Sequence, residues 1–236
     1  MTKIAGIIVK NQRIKYLIMS YLNKYKVNFI EFSSIEEAMN KNVNVLFTDI
    51  NVHSILFDDN LPNLNEKFKE IIVLNYDYDF IFSIKELIFK IFPHLFDKKM
   101  FNEVIVGIDP GKTYGLIVIA DGKILFSQSS VDVDIIVSEL MDTLNYIPFK
   151  RAIIRIGSGG GVYLKILESK LAKIMKYINP NIKHNISFEV INEFSLAGTN
   201  IKYHREKNDL SDDVFSAYII AITKGKKMEV YNYINQ

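Results

Sequence analysis

At 236 residues the chain is long enough for one large domain or two small ones. Its 49% hydrophobic content suits a packed globular protein, yet no apolar run reaches the roughly 18 residues that a membrane span needs. The absence of cysteine excludes disulfides, thiolate catalysis and zinc–cysteine sites, and a net charge of +2 leaves any nucleic-acid contact to local patches.

Met1-Thr2-Lys3-Ile4 leads into an apolar run without a small-residue cleavage site. No signal peptide is read there, and the expected location is cytoplasmic. Residues 4–9, "IAGIIV", predict a buried strand, and Ile14, Leu17, Tyr21 and Leu22 a helix. "VNFIEF" (27–32) predicts a second strand, and Ser34 with Glu37 has the spacing of a capping box. "VNVLFTD" (43–49) and "EIIVLN" (70–75) predict two more strands, and 79–92 an apolar-rich helix ending near Pro93. Strands alternating with helices imply a small parallel α/β layer over residues 1–97. Asp49 ends a strand, as the phosphoacceptor of a response-regulator receiver does, and this half resembles a receiver in that respect. The first strand, however, ends in Val9-Lys10-Asn11 without an acidic pair to hold magnesium. A scaffold is the favoured reading, binding a protein partner or a second copy of the chain.

"FDKKMFNE" (96–103) reads as a linker, and a second domain is expected over 101–236. "VIVGID" and "GLIVIA" predict strands, and Asp121-Gly122 before "KILFSQ" signals a hairpin. A helix over 132–147, a strand "RAIIRIG" (151–157), an amphipathic helix stopped by Asn179-Pro180, a strand "SFEVINE" (187–193) and a helix over 210–225 follow. The order is β-β-β-α-β-α-β-α, and five strands in one mixed sheet are expected.

"GIDPGKTYG", Gly107 to Gly115, ends in the manner of a nucleotide-binding P-loop. A P-loop needs four residues between its first glycine and Gly-Lys-[Ser/Thr] and must open a helix. Three residues separate Gly107 from Gly111 here, and a β-hairpin follows. The stretch reads instead as a strand that delivers the carboxylate of Asp109, followed by a Pro-Gly turn and an antiparallel return.

"GIDPGKTYG" resembles the first motif of RuvC-type and YqgF-type nucleases of the RNase H-like superfamily. "VINEFSLAG" (190–198) resembles the YqgF segment in which an acid ends the last strand, here Glu193. "NDLSDDVFSAYIIA" (208–221) resembles the last RuvC-type helix, with Asp209 and Asp212 as its paired acids and Asp213 as an alternative member. The resemblance covers roughly 103–225. It implies an RNase H-like domain and a metal-dependent endonuclease cutting structured nucleic acid, a branched DNA junction or RNA. Asp109, Glu193, Asp209 and Asp212 would be catalytic. Asp109, Glu193, Asp212 and Asp213 would hold Mg2+ or Mn2+. Such chemistry needs several carboxylates at one point, to hold two ions about 3.5–4 Å apart.

RuvC-type enzymes carry a further acid after the strand that here ends in Gly157-Ser158-Gly159-Gly160-Gly161. Its absence matches the YqgF arrangement and leaves open a protein that binds nucleic acid without cutting it. Asp209, Asp212 and Asp213 also suit plain helix capping. The glycine run, through Gly157, Ser158 and Gly159, reads either as a phosphate-binding turn or as a turn allowing close chain approach. Lys202, Arg205 and Lys207, interleaved with Tyr203, read either as phosphate contacts or as solvated loop. An actin-like phosphotransferase, whose first motif also reads Asp-x-Gly, needs two such domains, and the chain after Asp109 has room for one.

Overall fold

The computed structural model describes residues 4–49, 64–74, 80–192 and 210–228. It is a mixed α/β structure of two compact units, one of Met1–Met100 with Tyr146–Pro148 and one of Phe101–Asn145 with Phe149–Gln236.

The first unit carries strands β1 (Ile4–Ile8), β2 (Asn28–Glu31), β3 (Val45–Thr48) and β4 (Glu70–Val73). They form an all-parallel sheet in the order β2-β1-β3-β4. Helices α1 (Gln12–Lys24), α2 (Ile35–Met39), α3 (Leu64–Lys67) and α4 (Phe80–Leu95) connect or follow these strands. Asn11 caps α1, its side-chain oxygen accepting from the N–H of Arg13 at 3.1 Å and of Ile14 at 3.2 Å. The predicted capping box forms in a variant way. Ser34 Oγ accepts from Glu37 N–H at 3.3 Å, while the Glu37 carboxylate reaches back one residue further, to Ser33 N–H and hydroxyl, each at 2.8 Å. Those two bonds, the backbone one first, hold the Glu37 carboxyl below its ordinary range. Helix α4 runs past the expected stop, taking Pro93 into its last turn before ending at Leu95.

Asp49 acts as a structural tie. Its Oδ2 accepts from Lys10 N–H at 2.7 Å and Asn11 N–H at 3.1 Å. The carboxylate therefore occupies the donors that lead into α1, where a receiver would hold its phosphoacceptor open.

The second unit carries β5 (Phe101–Asp109), β6 (Tyr114–Ala120), β7 (Lys123–Ser130), α5 (Val133–Tyr146), β8 (Phe149–Gly157), α6 (Val162–Ile174), a short α7 (Pro180–Lys183), β9 (Ile186–Ile191), α8 (Asp212–Ile222) and β10 (Lys226–Met228). The sheet order is β10-β9-β8-β5-β6-β7. Strand β5 lies in its interior, antiparallel to β6 and parallel to β8. The Asp121-Gly122 hairpin forms as expected: both residues take positive φ, 46° and 79°, as a type I′ turn demands. Asp121 Oδ1 also accepts from Asn102 N–H at 3.0 Å and Glu103 N–H at 2.9 Å. Phe101 is buried and pairs with Phe149. Together these contacts start β5 at Phe101, inside the stretch expected to be linker.

Two differences lie at the end of the domain. The last helix stops at Ile222 and starts at Asp212, shorter than the expected 210–225. The chain then returns as a sixth strand, β10, antiparallel to β9. Gly225 permits this return, because a Cβ there would lie 2.7 Å from the Val190 carbonyl oxygen and 2.5 Å from an Ile191 methyl.

Replacing Asp49 with alanine is expected to lower stability by about 1–2 kcal/mol, since charge-assisted hydrogen bonds to two backbone N–H groups are lost. Denaturant unfolding of the full chain measures this. An unchanged midpoint would show that water replaces the carboxylate without cost.

Candidate functional site

Side chains alternate across a strand, so Gly107 and Asp109 share one face of β5. Gly115 pairs directly with Asp109 and lies on that face too. Helix α8 packs against it with almost no gap. A Cβ on Gly107 would sit 2.2 Å from the Ala217 carbonyl oxygen and 2.6 Å from the Ala221 Cβ. A Cβ on Gly115 would sit 2.0 Å from the Asp213 carbonyl oxygen. No side chain fits either place, so the glycines set the distance between helix and sheet. Ala217 and Ala221, four residues apart on α8, present the matching small surface, and both are fully buried. Ile117, Ile119 and Val214 complete this apolar contact.

The geometry brings the first turn of α8 to the end of the sheet where Asp109 stands. Asp109 is half-buried, Asp213 half-buried and Asp212 exposed. Ser211 is the N-cap, without a side-chain capping bond. The two aspartates open the helix itself, where negative charge also complements its dipole. Among the described residues no three carboxylates or imidazoles converge on one point. Glu193 and Asp209, two of the four expected catalytic acids, lie outside the described residues, as do Lys202, Arg205 and Lys207. The donor chemistry at hand, carboxylate oxygens without thiolate, fits a hard cation such as Mg2+ or Mn2+. Asp109 and the α8 aspartates are donors of that kind.

The glycine run has a packing reason. A Cβ on Gly160 would lie 2.1 Å from the Pro110 carbonyl oxygen, so the turn after β8 presses on the turn after β5, beside Asp109. Gly157 is buried within β8. The N–H of Ser158 is already committed to the Ile191 carbonyl at 3.0 Å. Gly161 precedes α6 at a φ of 54°, without a side-chain cap. The run thus lies beside Asp109, with fewer open N–H groups than the sequence suggested.

Tyr114, next to Gly115, points to the other face. Its hydroxyl donates to the Tyr163 carbonyl at 3.1 Å, which places α6 on the side opposite α8. Burial, followed by the neighbouring Tyr163, raises the Tyr114 phenol above its ordinary pKa and keeps it a donor. A salt bridge from Lys170 to Asp134, 2.7 Å, joins α6 to α5 on that same side. A cavity of about 550 Å³ opens at the far end of the α8 face, against Glu103, Lys123 and Tyr218. It does not reach Asp109, which ends the strand that Glu103 helps to begin.

Sequence reasoning missed one pair. Arg155 and Glu189 are buried charges on the α8 face, with Arg155 Nε donating to Glu189 Oε2 at 2.9 Å. The signal was available: opposite charges, each inside an apolar run, on two successive strands of the same expected sheet.

The sequence matches no protein-family model and no curated protein. Among solved structures it is similar to Argonaute from Marinitoga piezophila in complex with 5′-OH guide RNA, at 10% identity and a TM-score of 0.23. The match covers 80% of this chain and 39% of that one. This weak likeness carries no argument about the site. No helix among the described residues is long and apolar enough to cross a membrane.

Gly115→Ala should force α8 away from β6 and destabilise the protein by about 1–3 kcal/mol, the usual cost of overpacking. Urea unfolding measures it. A variant as stable as the parent would mean that α8 can shift freely at its acidic end.

Proposed function

We propose that the second unit is a metal-dependent endonuclease acting on structured nucleic acid, a branched DNA junction or RNA. The observation that supports it most is the docking of the acidic first turn of α8 on Gly115, the residue paired with Asp109. In this reading Asp109 and Asp212, with Glu193, Asp209 and Asp213, hold Mg2+ or Mn2+. The bound cation would neutralise charge at the phosphate and lower the pKa of a water. Asp109, on an interior strand, keeps one fixed carboxylate against which the helix acids are set. The close packing at Gly107 and Gly115 gives that arrangement its rigidity.

Substrate would be held by local features, because the net charge is only +2. Lys202, Arg205 and Lys207 would contact phosphates on the way into α8. The turn at Gly157, Ser158 and Gly159 would meet the backbone on the other side of Asp109.

A second reading is favoured by one observation. No acid stands at the end of β8. A protein that binds nucleic acid without cutting it fits this.

The deciding measurement is cleavage of branched and single-stranded DNA and RNA with Mg2+ or Mn2+, using Asp109→Asn as control. Cleavage that the variant loses supports the enzyme. Binding without cleavage under either metal supports the second reading. The variant itself should bind as well as the parent or better, since one negative charge is gone.

Replacing Lys202, Arg205 and Lys207 with alanine should weaken binding and flatten its salt dependence. Each lost phosphate contact should reduce the log–log slope by about 0.7 to 0.9. Equal binding by parent and variant across a salt series would remove this segment from the interface.

A further inference from the structure

The buried pair Arg155–Glu189 needs a reason. Desolvating two charges costs several kcal/mol, and well-packed apolar residues usually serve stability as well. Arg155 and Glu189 are 8% and 7% exposed, paired across β8 and β9, where their strand neighbours are largely aliphatic. What apolar residues cannot make is directed bonds. Arg155 Nη1 donates to the Ala221 carbonyl, in the last turn of α8. Gly225 N–H donates to Glu189 Oε2 at 3.1 Å, fixing the chain just beyond that helix. Helix α8 has no basic residue of its own in its last turn, where the carbonyls carry partial negative charge. Arg155 supplies that cation from the sheet.

The anchor lies at one end of a short rigid rod. Ala221 meets Gly107 as well as Arg155, and Asp213 meets Gly115. A slip of one residue along α8 would move its first turn by about 1.5 Å and turn it by about 100°. Asp213 would then leave its place against Gly115, the residue paired with Asp109.

We propose that Arg155, held by Glu189, is a positioning residue that fixes the axial register of α8 and so the place of Asp212 and Asp213 relative to Asp109. The functional importance of that register rests on the reading of these aspartates as cation-holding; the register itself does not.

The test uses two readouts. The chain has no cysteine, so cysteines at the exposed positions Ser216 and Lys173 can carry nitroxide labels specifically. Double electron–electron resonance then measures the distance between α8 and α6. Calorimetry of the unlabelled proteins measures the Kd for Mn2+. The informative variant is Arg155→Met with Glu189→Met, which removes both charges without stranding either. It is expected to fold, to shift or broaden the label distance by about 1.5 Å or more, and to raise the Mn2+ Kd at least tenfold. An unmoved distance in the folded variant overturns the proposal, whatever happens to Mn2+. A moved distance with unchanged Mn2+ affinity also overturns it, because the acids then do not depend on register. Should the double variant fail to fold, Arg155→Lys takes its place under the same criteria, as lysine keeps the charge but lacks the fork that reaches both Glu189 and Ala221. A parent that binds no Mn2+ sinks the cation reading alone, and the label distance still decides whether Arg155 sets the helix.

Discussion

Contact between α8 and the backbone of β5 and β6 is the constraint on which the second unit depends. Gly107 and Gly115 leave no room for a Cβ, so the helix rests on the sheet's main chain. Most helices stand off a sheet by the length of the intervening side chains, and such a layer tolerates sliding. Here the distance is set by hard contact between backbone atoms, and interiors at that density yield little. A helix so placed brings its first turn onto Gly115, beside the end of β5 where Asp109 stands.

The other features of this face follow from that placement. Ala217 and Ala221 are small because they meet Gly107. The Arg155 guanidinium lies beneath the last turn because the helix ends there without a cation of its own. Gly225 lets the chain turn back onto β9, which adds β10 at the sheet edge and puts one more bond on Glu189. The opposite face is ordinary by comparison, with Tyr114 bonded to α6 and a surface ion pair between α5 and α6.

The first unit shows how an apparent site can be filled by the protein itself. Asp49 directly follows β3 in a parallel sheet of order β2-β1-β3-β4, beside the β1–α1 connection where such sheets often bind ligands. Its carboxylate bonds the N–H groups of Lys10 and Asn11. A phosphate there would have to displace that carboxylate and meet its charge.

Much of the fold was legible in the sequence, because periodicity and turn chemistry act within a few residues of each other. The parallel layer of the first half, the Asp-Gly hairpin, the strand that ends in Asp109 and the failure of "GIDPGKTYG" as a P-loop were all local signals. Boundaries were less so: β5 begins early because Asp121, across the hairpin, bonds Asn102 and Glu103. The candidate site was legible only as a set of acids in order, since spacing along a chain does not say which glycine faces which helix. Gly107, Gly115 and Gly160 look alike in the sequence, yet the first two are fixed by α8, at its later turns and its first turn respectively, and the third by the turn at Pro110. Arg155 and Glu189 are 34 residues apart, and their partner Ala221 is 66 residues beyond Arg155. The sequence by itself determined the main strands and helices and where Asp109 falls on them, but not the short α3 and α7 or the edge strand β10. Tertiary structure alone decided that the acidic turn of α8 meets that strand end, because contact between remote backbones depends on how whole elements pack.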